Sequence, residues 1–203
     1  MKSKRMKPVT AAELMEKLSK DKDYQARIEQ RNKQIKERKD SYNKEQKELL
    51  SDLKNVGLEV KSVWDLVNTG EPYPAAIPVL LKHLRGSYSD RTKEGIARAL
   101  AVPEAKHAWD IILEEFDKNP DLTSLGSKWG LGCALSVIAH VTKRYDETVH
   151  ILRDKQHGVN RMALLDVLSR SRKPEIRSKL LEFADDPEIG KQARIFLKRF
   201  KMI

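Results

Sequence analysis

The sequence predicts an all-α chain, a long polar N-terminal helix followed by a right-handed α–α superhelix of short helix pairs. Three observations lead there. Apolar residues recur at three- and four-residue steps through residues 73–203, the spacing that lines one face of a helix. No window alternates apolar and polar residues with the period of two that a half-buried strand needs. Residues 21–55 hold neither Gly nor Pro and are dense in Lys, Glu, Gln and Arg, all strong helix formers.

Taken in order, Thr10 followed by Glu13 fits a capping box, in which each side chain satisfies a free backbone donor at a helix start. A short helix over 11–19 follows, then one long helix over 21–55. Its apolar positions Ile28, Ile35, Tyr42 and Leu49 fall seven residues apart, thickened by Leu50 and Leu53 near the end. The positions for the other half of a heptad seam, Arg31 or Asn32, Lys39 and Gln46, are polar, so a robust coiled coil is not expected. The arm is expected to lay a narrow stripe on the rest of the chain or on another copy, and to stand partly in water. Gly57 supplies a stop. We therefore expect an arm over 1–57 and a repeat domain over 58–203 with about four helix pairs. The latter opens with a short helix around 63–67 carrying Trp64 and Leu66, then a turn over 68–74.

The later segments repeat. With Lys93, Lys128, Arg161 and Gly190 in register, an aliphatic or small pair follows at the third and fourth steps: Ile96 and Ala97, Leu131 and Gly132, Leu164 and Leu165, with only Ala193 in the last. A leucine follows at the seventh step: Leu100, Leu135, Leu168 and Leu197. The intervals are 35, 33 and 29 residues, and each unit has a preceding helix, over 73–84, 103–116, 146–153 and 174–183. Paired helices at this period stack because neither can bury its apolar stripe until the next pair covers it. A basic residue, a small or aliphatic pair and a leucine on the second helix of a pair that often starts near Pro resembles a degenerate HEAT repeat. The resemblance covers about residues 72–203. The run from Val63 to Asn68, Tyr73-Pro74 and the run from Gly95 to Leu100 look like bacterial HEAT-repeat proteins with an N-terminal helical arm. It implies a binding scaffold whose second helices line a concave face, without implying a ligand. Departures are the long connection over 119–127 and Gly126, Gly130 and Gly132, which are expected to weaken the register around the second pair.

Composition bounds the function. The 203 residues carry 40 Lys plus Arg against 30 Asp plus Glu, a net charge of +10, with the surplus at the two ends of the chain. A membrane span is not expected, because no stretch approaches about 20 consecutive apolar residues. Residues 1–7 are basic without a following apolar segment, and Cys133 stands alone, so a reduced, cytoplasmic protein is expected. No phosphate loop, dinucleotide motif or nucleophile elbow occurs, and no cofactor is expected. The five histidines form no pair at helical spacing and no zinc pattern with the cysteine, so no metal site is expected either. Cys133 reads as a small buried thiol, His140 as a hydrogen-bonded residue beside the core, and Trp64 and Trp109 as core aromatics.

Trp129 follows Lys128 among glycines that permit close approach. It reads either as an exposed anchor for a partner or as a cap on the core at an irregular joint. Lys93, Arg98, Lys128, Arg161, Arg170, Arg172, Lys191 and Arg194 recur near the second helices and would form a discontinuous basic ridge on a concave face. Alternatively they pair with acids of neighbouring repeats, Arg161 with Asp154 or Asp166. The reading is a non-enzymatic scaffold that binds a protein partner through that face; an immunity or inhibitor protein belongs to the same class. The alternative is a nucleic-acid-binding protein gripping phosphates. There a resemblance to the helical arrays of DNA alkylpurine glycosylases would place Trp129, Asp166 and Arg161 in a base pocket.

Overall fold

Residues 9–120, 123 and 125–203 are described by a computed structural model, and every regular element among them is a helix. The basic stretch 1–7, and positions 121, 122 and 124 of the expected connection, lie outside the described residues. The chain divides into two units, 1–45 and 46–203.

In the first unit the capping box forms as its residue types require. Thr10 Oγ1 accepts the Glu13 amide at 3.3 Å, and Glu13 Oε2 accepts the Thr10 amide at 2.9 Å, opening α1 (Ala11–Lys20). Asp21 Oδ1 then accepts the amides of Asp23 and Tyr24, opening α2 (Lys22–Glu45). No residue of α1 or α2 is buried, and Ile35 is more than half exposed. One apolar residue in seven, among strong helix formers, sustains a helix by propensity without making a face wide enough to bury.

The single helix expected over 21–55 is interrupted at Gln46, and the division of the chain falls there rather than at 57. Gln46 is buried, and its Oε1 accepts the Val63 amide at 3.0 Å and the Ser62 hydroxyl at 3.3 Å. Immediately after it the stripe becomes dense enough for a core. In α3 (Lys47–Asn55), Leu49 and Leu53 are wholly buried. Gly57, at φ +88°, turns the chain in a left-handed conformation open to Gly without steric penalty. The Leu58 amide then returns to the Leu53 carbonyl at 3.0 Å.

Helix α4 (Val63–Val67) starts with a second capping box, Ser62 with Asp65. Next come α5 (Ile77–Leu84) after a 3-10 turn at Pro74–Ala76, and α6 (Asp90–Ala99). A 3-10 stretch at Pro103–Ala108 leads into α7 (Trp109–Lys118), which precedes α8 (Ser127–Thr142). Helix α9 (Tyr145–Arg153) is followed by a 3-10 stretch, Lys155–Leu164, that runs into α10 (Leu165–Ser169). Last are α11 (Pro174–Ser178), extended by a 3-10 stretch at Lys179–Phe183, and α12 (Gly190–Arg199). Helix α4 packs on α6, α6 on α8, α8 on the 155–164 stretch and α10, and α10 on α12, while α3 packs on α5. Among the described residues this unit holds the ten helices α3 to α12.

The four register leucines are wholly buried, as are Ile96, Ala97, Leu164, Leu165 and Ala193. The α8 glycines sit at close contacts with both neighbouring elements. A Cβ at Gly130 would lie 3.0 Å from the Ala97 Cβ, and one at Gly132 would lie 3.1 Å from the Asn160 carbonyl. These glycines let α8 approach both neighbours at backbone distance. The start of α8 is held by α6: Asp90 Oδ1 accepts the Ser127 amide at 3.0 Å and its hydroxyl at 2.6 Å.

Candidate partner-binding face

Two members of the expected basic ridge, Lys128 and Arg161, are buried. Lys128 is 2% exposed; its Nζ donates to the Asn119 carbonyl at 2.6 Å and lies 5.2 Å from the Phe116 ring centre. Arg161 is 0% exposed, and each of its five N–H donors has an acceptor. Nε donates to the Gly158 carbonyl at 2.9 Å. One terminal nitrogen serves the Leu152 carbonyl at 2.8 Å and Asp186 at 2.9 Å, and the other serves Asp186 at 3.1 Å and Glu188 at 2.8 Å. Its acids therefore come from the next unit, not from Asp154 or Asp166. Nothing is left on Arg161 to meet a phosphate, so a base pocket built from Trp129, Asp166 and Arg161 loses its cation.

The physical reason lies in the repeat itself. Positions i, i+3, i+4 and i+7 share one helical face, so the residue leading the motif points the same way as the buried pair and leucine after it. Lys93, on the same rule, is half-buried and lines a 240 Å³ cleft with Leu84, Glu115 and Leu131. The buried acid beside Arg161 responds to its setting. Burial raises the Asp186 pKa, but the guanidinium and the amides of Ile189 and Glu188 outweigh it and hold the carboxyl below its usual range.

The remaining cations lie on α6 and α12 or in the turn after α10. Arg98 pairs with Glu94 at 2.8 Å, and Arg170 with Asp166 at 2.6 Å. Arg172, Lys191 and Arg194 are exposed, with the Arg194 guanidinium donating to the Ala184 carbonyl. On α12 the positions Lys191, Arg194, Ile195, Lys198 and Arg199 form one exposed stripe without an acid, opposite the buried Gly190, Ala193 and Leu197.

On α8, which packs against both α6 and α10, the residues that are not fully buried are Trp129, Cys133, Val137, His140, Val141 and Thr142. The solvent side of α8 carries Trp129, Cys133, Val137 and Val141, four residues apart and without a charge among them. The adjoining stretch adds Val159, Met162 and Ala163, all half-buried. Trp129 thus stands half-buried at the head of this line while its neighbour Lys128 points inward. Cys133 is part-buried rather than buried as its sequence setting suggested; that partial burial still pushes its thiol up, so it stays protonated and weakly reactive. Apart from Trp129, none of these residues entered the candidate site from sequence. The available signal was that α8 is apolar on every side, which marks a helix covered all round or one that presents an apolar face.

Behind this face lies a buried polar knot. His157 is buried, with its ring 4.6 Å from that of Phe116 and its Nε2 3.4 Å from Asp117 and 3.5 Å from Asp154. Burial, then Lys128 and Arg161, lower its pKa; Asp154 and Asp117 pull the other way and lose. The imidazole therefore remains neutral in the folded protein while the unfolded chain takes up a proton below about pH 6.5. Stability due to His157 is present above that value and drains away as the pH falls toward the depressed folded pKa. Urea midpoints should drop between pH 7.5 and 5.5, and His157→Gln should remove that part of the drop.

No helix among the described residues is long and apolar enough to cross a membrane. No protein-family model matches the chain, and comparison with curated proteins and with solved structures finds no match.

Proposed function

We propose that the protein is a non-enzymatic interaction scaffold, a HEAT-like right-handed superhelix whose second helices form a concave surface for a protein partner. The side-by-side packing of α4, α6, α8, α10 and α12 supports that arrangement. One observation carries the functional reading: the uncharged line Trp129, Cys133, Val137 and Val141, bordered by Met162 on one side and the Arg98–Glu94 pair on the other. An apolar strip with an ion pair along one edge has the anatomy of a protein-binding surface, where a buried aromatic or aliphatic anchor supplies most of the affinity. With a net charge of +10 and the basic α12 stripe, the partner is a segment with apolar side chains for α8 and acidic ones around them.

The nucleic-acid reading retains support at α12 alone, since Lys128 and Arg161 face inward. The two readings separate experimentally. A photo-crosslinker at Val137 should capture one protein, and Trp129→Ala or Val137→Asp should weaken that complex about 30-fold or more, a loss of about 2 kcal/mol. Reversing Lys191 and Lys198 to Glu should reduce it less. Should crosslinking fail and duplex DNA bind with a steep salt dependence removed by the α12 reversals, the phosphate-gripping alternative replaces this one.

A further inference from the structure

Away from that face, three side chains from two helices converge on a point. Glu48 and Asp52 stand one turn apart on α3, and His83 reaches them from α5. Their donor atoms all lie within 4.8 Å of one another, and His83 Nε2 is 2.9 Å from Asp52 Oδ2. The imidazole is 4% exposed and forms the floor, while the Glu48 carboxylate, 75% exposed, forms an open rim. His83 Nδ1 lies 2.6 Å from the Tyr88 hydroxyl. Without a metal, Nε2 donates to the Asp52 carboxylate and Nδ1 accepts the Tyr88 hydroxyl proton; a metal taken at Nε2 would displace that proton and leave Nδ1 to donate to the Tyr88 oxygen, the kind of outer hydrogen bond that orients a metal-binding histidine.

A cation already occupies the mouth. Lys82 Nζ is 2.8 Å from Asp52 Oδ2 and 3.9 Å from Glu48 Oε1. That side chain is 63% exposed, so it can swing into water without uncovering a core.

We propose that Glu48, Asp52 and His83 form a divalent transition-metal site, best suited to zinc, in which the metal displaces the Lys82 ammonium and water completes the coordination. One imidazole and two carboxylates match zinc, which accepts nitrogen and oxygen ligands in four-coordinate geometry. Calcium and magnesium prefer oxygen alone and would leave the imidazole unused. Two carboxylates balance the metal charge. The bound ion ties α3 to α5, so it stabilises the second unit by mass action. Sequence inspection for histidine pairs and cysteines misses this site because its ligands lie up to 35 residues apart, on helices brought together by packing.

The test is a zinc titration of the full chain against a chromophoric chelator, with thermal unfolding in parallel. Zinc should bind and raise Tm, and cobalt should give visible absorption bands of a low-coordinate site. Lys82→Ala should bind about tenfold tighter, because the competing ammonium is gone. Glu48→Gln, at an exposed position that leaves the fold intact, should weaken binding about tenfold. Tyr88→Phe should weaken it about 10- to 100-fold through the outer hydrogen bond. The proposal is overturned if neither the natural chain nor Lys82→Ala binds zinc. It is equally overturned if Lys82→Ala fails to tighten binding, or if Glu48→Gln and Tyr88→Phe both leave the affinity unchanged.

Discussion

Replacing Arg161 with alanine should cost about 3–5 kcal/mol of folding stability, the range for breaking a buried ion pair from one side. Against a typical total of about 5–15 kcal/mol, that leaves the second unit marginal or unfolded. The loss has two parts. Asp186 becomes a buried carboxylate without its guanidinium, and the Leu152 and Gly158 carbonyls lose donors inside the protein. Because of those carbonyls, an apolar exchange of Arg161 and Asp186 together should not restore stability, although buried ion pairs are often replaceable by apolar groups. Arg161→Lys keeps the charge but offers three donors in place of a planar fork of five, so it should recover only part of the loss. Arg172→Ala, at an exposed position, should stay within about 0.5 kcal/mol. Urea unfolding of the four variants separates these expectations, and equal effects at Arg161 and Arg172 would show that the inward network contributes nothing.

Gly95→Val should be the most damaging small change outside that network. A Cβ at Gly95 would lie 2.6 Å from Val63 Cγ1 and 2.9 Å from Trp64 Nε1, where α4 crosses α6. Val63 is wholly buried and cannot move aside. Alanine gains about 1 kcal/mol of helix propensity over glycine, yet overpacking costs about 1–3 kcal/mol, so Gly95→Ala should still destabilise slightly. Valine adds two methyl groups and loses propensity, for a cost of about 3 kcal/mol. At about 2–4 °C per kcal/mol for a domain of this size, Tm should fall by about 6–12 °C. An unchanged Tm would mean that α4 can withdraw from α6 without cost.

The helical class was legible because its signals are local. Thr10 and Glu13, or Ser62 and Asp65, cap a helix with residues three apart, and the apolar steps of α6, α8 and α12 lie within ten or so residues. The repeat register was legible too, down to Leu100, Leu135, Leu168 and Leu197 in the core. The candidate face was read poorly. The sequence leaves Lys128 and Arg161 open between an outward ridge and pairing with acids of neighbouring repeats, although the register itself places them with the buried residues, and of the α8 line it singles out Trp129 alone. The interruption at Gln46 is not legible, because a continuous run of helix formers hides the point at which Leu49 and Leu53 meet a core.

Local sequence by itself determined that the described residues are helical and which stripe of the later helices must be covered. Only the tertiary structure decided the fate of its charges: Arg161 meets Asp186 across 25 residues, and His83 meets Asp52 across 31. Helix formation depends on neighbours a turn away, whereas the partner of a charge depends on which helices stack and at what distance. In α8 that distance is set by the missing side chains of Gly130 and Gly132, which bring its neighbours close and leave an uncharged line facing solvent between them.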